Sequence, residues 1–175
     1  MNEWERVVEA DEGAVLWEYH DEANDVHGYV IRGPGALCGY VGTRQAHAVW
    51  KFDKDKESEY SRYLYDYGFG WIPVHGGMTY DGPLDGTRAH RPGYYYIGWD
   101  YAHGGDMVAY RDNKGQLIAY SLFGGGRKWT VPEVVADVRR VARIFTNYKT
   151  LIENVEAGIC DRSAVELFKR LEDLD

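Results

Sequence analysis

The run Tyr94-Tyr95-Tyr96-Ile97-Gly98-Trp99, continuing as Asp100-Tyr101-Ala102-His103-Gly104-Gly105-Asp106, is the most strand-like stretch of the chain. Aromatic and β-branched side chains favour a pleated, half-buried surface, so this run predicts a strand paired on both sides. It delivers His103 near the strand end and follows it with two glycines. The same phrase occurs earlier, where Trp71-Ile72-Pro73-Val74 leads into His75-Gly76-Gly77-Met78-Thr79-Tyr80. Glycine pairs let a backbone turn sharply or approach a ligand, so both imidazoles are expected at a loop rim.

Toward the C-terminus, Asp112-Asn113-Lys114-Gly115 reads as a surface turn and Leu117 to Phe123 as a further strand, which Gly124-Gly125-Gly126 ends. Thr130 followed by Pro132 and Glu133 is a capping-box signature, so a helix should start there. Val134, Val138, Val141, Phe145, Tyr148, Ile152 and Val155 recur at spacings of four and three. One helix face must therefore be buried, either on the sheet or as the seam of a homodimer. Arg139, Arg140 and Arg143 lie off this stripe and are expected in solvent. Ser163 with Glu166 suggests a second capping box, opening a short helix with Ala164, Leu167, Phe168, Leu171 and Leu174 on its apolar face.

Toward the N-terminus, Glu3 to Tyr19 reads as a hairpin about Asp11-Glu12-Gly13, with a short helix as the alternative. His20 to Val26 is polar and loop-like. Tyr29-Val30-Ile31 and Leu37-Cys38-Gly39-Tyr40-Val41, separated by Gly33-Pro34-Gly35, form a strand pair. From His47 to Tyr67, mixed charges lead into Tyr60, Tyr63, Leu64 and Tyr67 at helical spacing, which predicts an amphipathic helix or a flap over the site. Asp81 to Gly93 is an irregular loop. Strands followed by helices give one α+β domain over residues 1–175: an antiparallel, Tyr-rich sheet from about Glu3 to Phe123, backed by the long helix and the short terminal one.

With 20 Lys and Arg against 28 Asp and Glu, the net charge is −8, which argues against general binding to nucleic-acid backbones. A small anionic ligand on a local basic patch is compatible with it. Cys38 and Cys160 stand far apart, which indicates neither a disulfide framework nor a zinc knuckle. No apolar run suits a signal or a membrane span, so a reducing cytoplasm is the expected setting.

His75, Asp100, His103 and Asp106 offer two imidazoles and two carboxylates, a donor set suited to Zn²⁺, Mn²⁺ or Fe²⁺. A metal there lowers the pKa of a bound water and makes a hydrolytic nucleophile. Without metal, His75 and His103 could serve as general base and acid, with Thr79 or Tyr80 holding a substrate oxygen. The spacing does not match the His-x-Thr pattern of two-histidine phosphoesterases. A purely architectural alternative has the histidines bonding carbonyls and the aspartates capping turns. His20, His27, His47 and His90 fall in polar loops and are expected to be exposed and uninvolved, with His47 and His90 the two that could still join the site.

Cys38-Gly39-Tyr40-Val41-Gly42, Val74 to Tyr80 and Gly98 to Asp106 together resemble a family of small proteins found in bacteriophage and prophage genomes. The resemblance covers the middle of the chain and implies an accessory protein at work inside a bacterial host, where such proteins often counter host defences. Two functions are carried forward. One is a metal-assisted hydrolase of a small phosphorylated or nucleotide-like substrate, with His75, Asp100, His103 and Asp106 about a Zn or Mn ion and Thr79, Tyr80 and Tyr101 contacting substrate. The other is a non-catalytic module that sequesters a nucleotide-like signal or a host defence protein.

Overall fold

The computed structural model describes residues 1–52 and 69–172. A helix α1 (Glu3–Glu9) precedes strands β1 (Val15–Asp21), β2 (Val26–Arg32) and β3 (Leu37–Arg44) and a 3₁₀ turn at Ala48–Trp50. Strands β4 (Tyr80–Gly82), β5 (Tyr94–Asp100), β6 (Val108–Arg111) and β7 (Leu117–Tyr120) follow, then helices α2 (Val131–Glu156) and α3 (Ser163–Glu172). The architecture is α+β. Five strands form an antiparallel sheet in the order β1-β2-β3-β5-β4, and β6 with β7 forms a separate two-stranded sheet.

The period of two along each strand sorts the sheet's side chains into two layers. Val30, Val41, Ile97 and Trp99 face α2, whose Val134, Val138, Val141, Phe145, Tyr148 and Ile152 are all buried in the same core. The helical stripe is thus spent on the sheet, which leaves it no role as a dimer seam. Two strand glycines set the approach of the helix. A Cβ at Gly28 would stand 2.8 Å from Val138 Cγ1, and one at Gly39 would stand 2.6 Å from the Trp99 ring and 3.1 Å from Val138 Cγ2. The opposite face carries Tyr29, Ile31, Tyr96, Tyr40, Tyr80 and Tyr94, covered by Leu84 and Ala89 of the loop after β4.

Helix α2 begins as expected, with the Glu133 carboxylate accepting from the Thr130 N–H at 2.8 Å and from its hydroxyl at 2.7 Å. Other expectations are corrected. The N-terminal segment is helical rather than half of a hairpin, because Asn2 and Glu5 exchange side-chain bonds of 2.7 and 2.9 Å with each other's backbone N–H. His20 and Asp21 belong to β1 and only residues 22–25 turn. Trp71 to Val74 is not a strand, so His75 stands in a turn. The strand at Leu117–Tyr120 leaves the main sheet to pair with β6. Helix α3 is capped by Asp161, which accepts from the Ser163 N–H at 2.8 Å. It buries Val165 and packs Phe168 against the core, while Leu167 and Leu171 stay exposed. The helix or flap read from Tyr60, Tyr63, Leu64 and Tyr67 lies outside the described residues. No helix among the described residues is long and apolar enough to cross a membrane.

Candidate functional site

The chain leaves β5 at Asp100, passes Tyr101 and turns at His103-Gly104-Gly105-Asp106, where the Asp106 N–H donates to the His103 carbonyl at 2.8 Å. The turn carrying His75 comes to meet it. The two imidazoles lie edge to face with centroids 5.0 Å apart. Gly76 makes this approach possible: a Cβ there would fall 1.9 Å from His103 Cε1 and Nε2, and the residue has φ +68°, a left-handed conformation that favours glycine.

Asp106 is the hub and is 3% exposed. Its Oδ2 accepts from the His103 backbone N–H at 2.9 Å and pairs with His75 Nε2 at 2.7 Å, while Oδ1 accepts from Trp129 Nε1 at 2.7 Å. His103 Nδ1 stands 3.6 Å from the same carboxylate; it is enclosed and makes no hydrogen bond. Burial pushes the Asp106 carboxyl up, but the bonds from Trp129, His75 and the His103 N–H outweigh it and hold the group below the usual carboxylate range. Asp106 therefore carries a full negative charge at neutral pH. One nitrogen of each histidine and one Asp106 oxygen lie within 4.8 Å of one another, a span that suits three ligands of one cation.

Aromatic rings floor the cluster. His75 stacks on Tyr101 at 5.2 Å with planes 5° apart, and Trp129 packs against both, 4.7 Å from His75 and 4.6 Å from Tyr101. Tyr101 is fully buried; its hydroxyl accepts from Trp99 Nε1 at 3.0 Å and donates to Asp137 Oδ2 at 2.5 Å. Burial, and then that bond to Asp137, pushes the phenol well above its ordinary value, so it stays protonated. Arg127 lies 3.6 Å over the Trp129 ring and pairs with Glu133 at 3.0 Å.

The remaining sequence-derived candidates are placed elsewhere. Asp100 accepts from Thr79 Oγ1 at 2.9 Å and from the Ala102 N–H at 3.0 Å, so these two residues satisfy each other outside the cluster. Tyr80 donates to the Pro83 carbonyl and packs edge-on to Tyr40 on the far face of the sheet. Tyr101 supports His75 from beneath with its hydroxyl turned into the core, away from any ligand above. Trp129 and Arg127 were missed because the stretch Gly124 to Trp129 reads locally only as a break before a helix. The nearest local signal was an indole directly ahead of the Thr130 cap.

Of the other histidines, His20 and His90 are exposed as expected, whereas His27 and His47 are not. His27 is fully buried in β2, His47 caps the 3₁₀ turn through the Val49 N–H and pairs with Glu153 at 2.8 Å, and His90 pairs with Asp85 at 2.7 Å. His20, Glu22 and His27 form a second group with close ligand atoms. There, however, Arg91 Nη1 sits 2.9 Å from the His27 ring nitrogens, and a fixed guanidinium repels a cation. Burial, then Arg91, holds His27 below the usual imidazole value and keeps it neutral. No protein-family model, no curated protein and no solved structure matches the chain.

Proposed function

We propose that His75, His103 and Asp106 hold a divalent ion of the Zn or Mn type and that the protein is a metal-assisted hydrolase of a small phosphorylated or nucleotide-like substrate. The observation that carries this reading is the enclosed, unpartnered His103 Nδ1 facing the charged Asp106 carboxylate, with His75 Nε2 on the same oxygen. A buried ring nitrogen without a partner is costly, and a cation bound beside it removes the cost. Three protein ligands leave a coordination position for water, the arrangement of catalytic rather than structural sites. The metal would polarise that water and a phosphoryl oxygen.

The chain's own residues orient the ligands. Trp129 and the His103 N–H hold the Asp106 carboxylate, and Tyr101 and Trp129 fix the plane of His75. Asp100, Thr79 and Tyr80 take no part in this site. The resemblance to phage and prophage proteins supports an accessory, counter-defence role inside a bacterial host, with a signalling nucleotide as the natural substrate class.

A second reading has one observation in its favour: the three hydrogen bonds of Asp106 are complete without a metal. On it the protein is a binding module that holds a nucleotide-like ligand or a host protein without turnover. Elemental analysis of the purified protein, after dialysis against Zn²⁺ or Mn²⁺, separates the two. The hydrolase requires about one ion per chain, lost in His103→Ala together with release of phosphate from a panel of nucleotides. Protein that takes up no ion and returns every nucleotide intact overturns it.

A further inference from the structure

Phe123 is the most exposed large apolar side chain among the described residues, 83% open to solvent, and its neighbour Leu122 is 72% open. An aromatic ring left in water next to a candidate site calls for an account. The ring is not on a loose loop tip. Its backbone N–H donates to the Gly104 carbonyl at 3.2 Å, Ser121 Oγ donates to the same oxygen at 3.3 Å, and Arg127 N–H donates to the Gly105 carbonyl at 2.8 Å. One edge of the ring approaches Gly104, where a Cβ would come within 2.2 Å of Phe123 Cε2 and 2.8 Å of Cδ2. Gly104 has no left-handed conformation to explain it. Its lack of a side chain is what lets the ring edge come this close to the backbone next to His103.

We propose that Phe123 is the platform on which the nucleobase of a nucleotide ligand stacks, with the phosphate directed to the His75-His103-Asp106 cluster. Its edge is held at the Gly104 backbone and the ring is 83% open to solvent, which leaves a face for a base to stack on. Stacking tolerates any base, since every base presents a π face. The platform deepens the nucleotide-hydrolase reading and shares its ligand class, yet it needs no metal. The nucleotide-binding module would use it equally.

Isothermal titration of the full chain with the four nucleoside 5′-monophosphates and with ribose 5-phosphate tests it, alongside Phe123→Ala and Phe123→Trp. Wild-type protein should bind at least one nucleotide roughly tenfold or more tighter than ribose 5-phosphate, the gain expected of one base stack. Phe123→Ala should lose that preference and Phe123→Trp should keep it, with the melting temperature of both unchanged because the ring is exposed. Equal affinity for all five compounds, no binding of any of them, or a preference that survives in Phe123→Ala overturns the platform. Metal content of the same samples is read separately. A metal-free protein with a Phe123-dependent base preference would sink the hydrolase and leave the platform standing.

Discussion

Substituting Gly76 by alanine should couple stability to the site through a single contact. Two costs are distinct there. The left-handed backbone, φ +68°, costs an L-residue roughly 1–2 kcal/mol. The new methyl would also stand 1.9 Å from two atoms of the His103 ring, and overpacking of this kind costs about 1–3 kcal/mol. Gly77 supplies the control, since it is also left-handed, φ +88°, but a Cβ there meets nothing within 4 Å. Urea denaturation should therefore show Gly77→Ala losing about 1–2 kcal/mol and Gly76→Ala about 2–5 kcal/mol. His103 is held by its backbone bonds to Asp106 but is a third exposed, so its ring can rotate outward. That escape caps the stability loss and removes Nδ1 from the cluster, so Gly76→Ala should lose metal or ligand while Gly77→Ala retains it. In a His103→Ala background the clash has no partner, and Gly76→Ala should fall to the cost of Gly77→Ala, a coupling of about 1–3 kcal/mol. Equal costs for the two glycines, or a cycle with no coupling, would refute the contact and the geometry built on it.

Removing the Tyr101 hydroxyl leaves the Trp99 indole N–H, 1% exposed, without its acceptor and frees Asp137. Tyr101→Phe should cost about 1–3 kcal/mol in urea denaturation with metal content unchanged, because the ring beneath His75 stays in place. Glu133 gives a pH signature. Burial raises its carboxyl, but bonds from Thr130 and Arg127 outweigh it, so its folded value lies below the ordinary 4.5. Its contribution is present above the unfolded value and lost as pH falls through the folded one. Glu133→Gln should be less stable than wild type by about 0.5–1 kcal/mol at pH 7, the group being partly screened, with thermal melts converging once the pH has fallen below the carboxyl's depressed folded value. A difference that persists at low pH would mean that the cap does not depend on the charge.

Local chemistry alone determined much of the architecture. Thr130, Glu133 and the apolar stripe from Val134 to Ile152 specify α2 because a cap and a 3.6-residue period are read within one segment. The breaker Gly33-Pro34-Gly35 likewise separates β2 from β3. The period of two could also have divided the site residues: Asp100 and Tyr101 are adjacent, so they leave β5 on opposite faces, and only Tyr101 turns toward α2. Equal spacing of Asp100, His103 and Asp106 hid that difference, since a helical turn and a strand end treat the same spacing differently. Which carboxylate joins the histidines was decided only in three dimensions. Asp106 becomes the hub because Trp129, 23 residues away, reaches it from the segment before α2, and because Gly76 leaves room for the His103 ring. The β6–β7 hairpin itself is local, closed by the turn from Asp112 to Gln116, and only its place outside the main sheet was decided by the whole fold. Long-range partners cost chain entropy that only the whole fold repays, so no single stretch of sequence announces them.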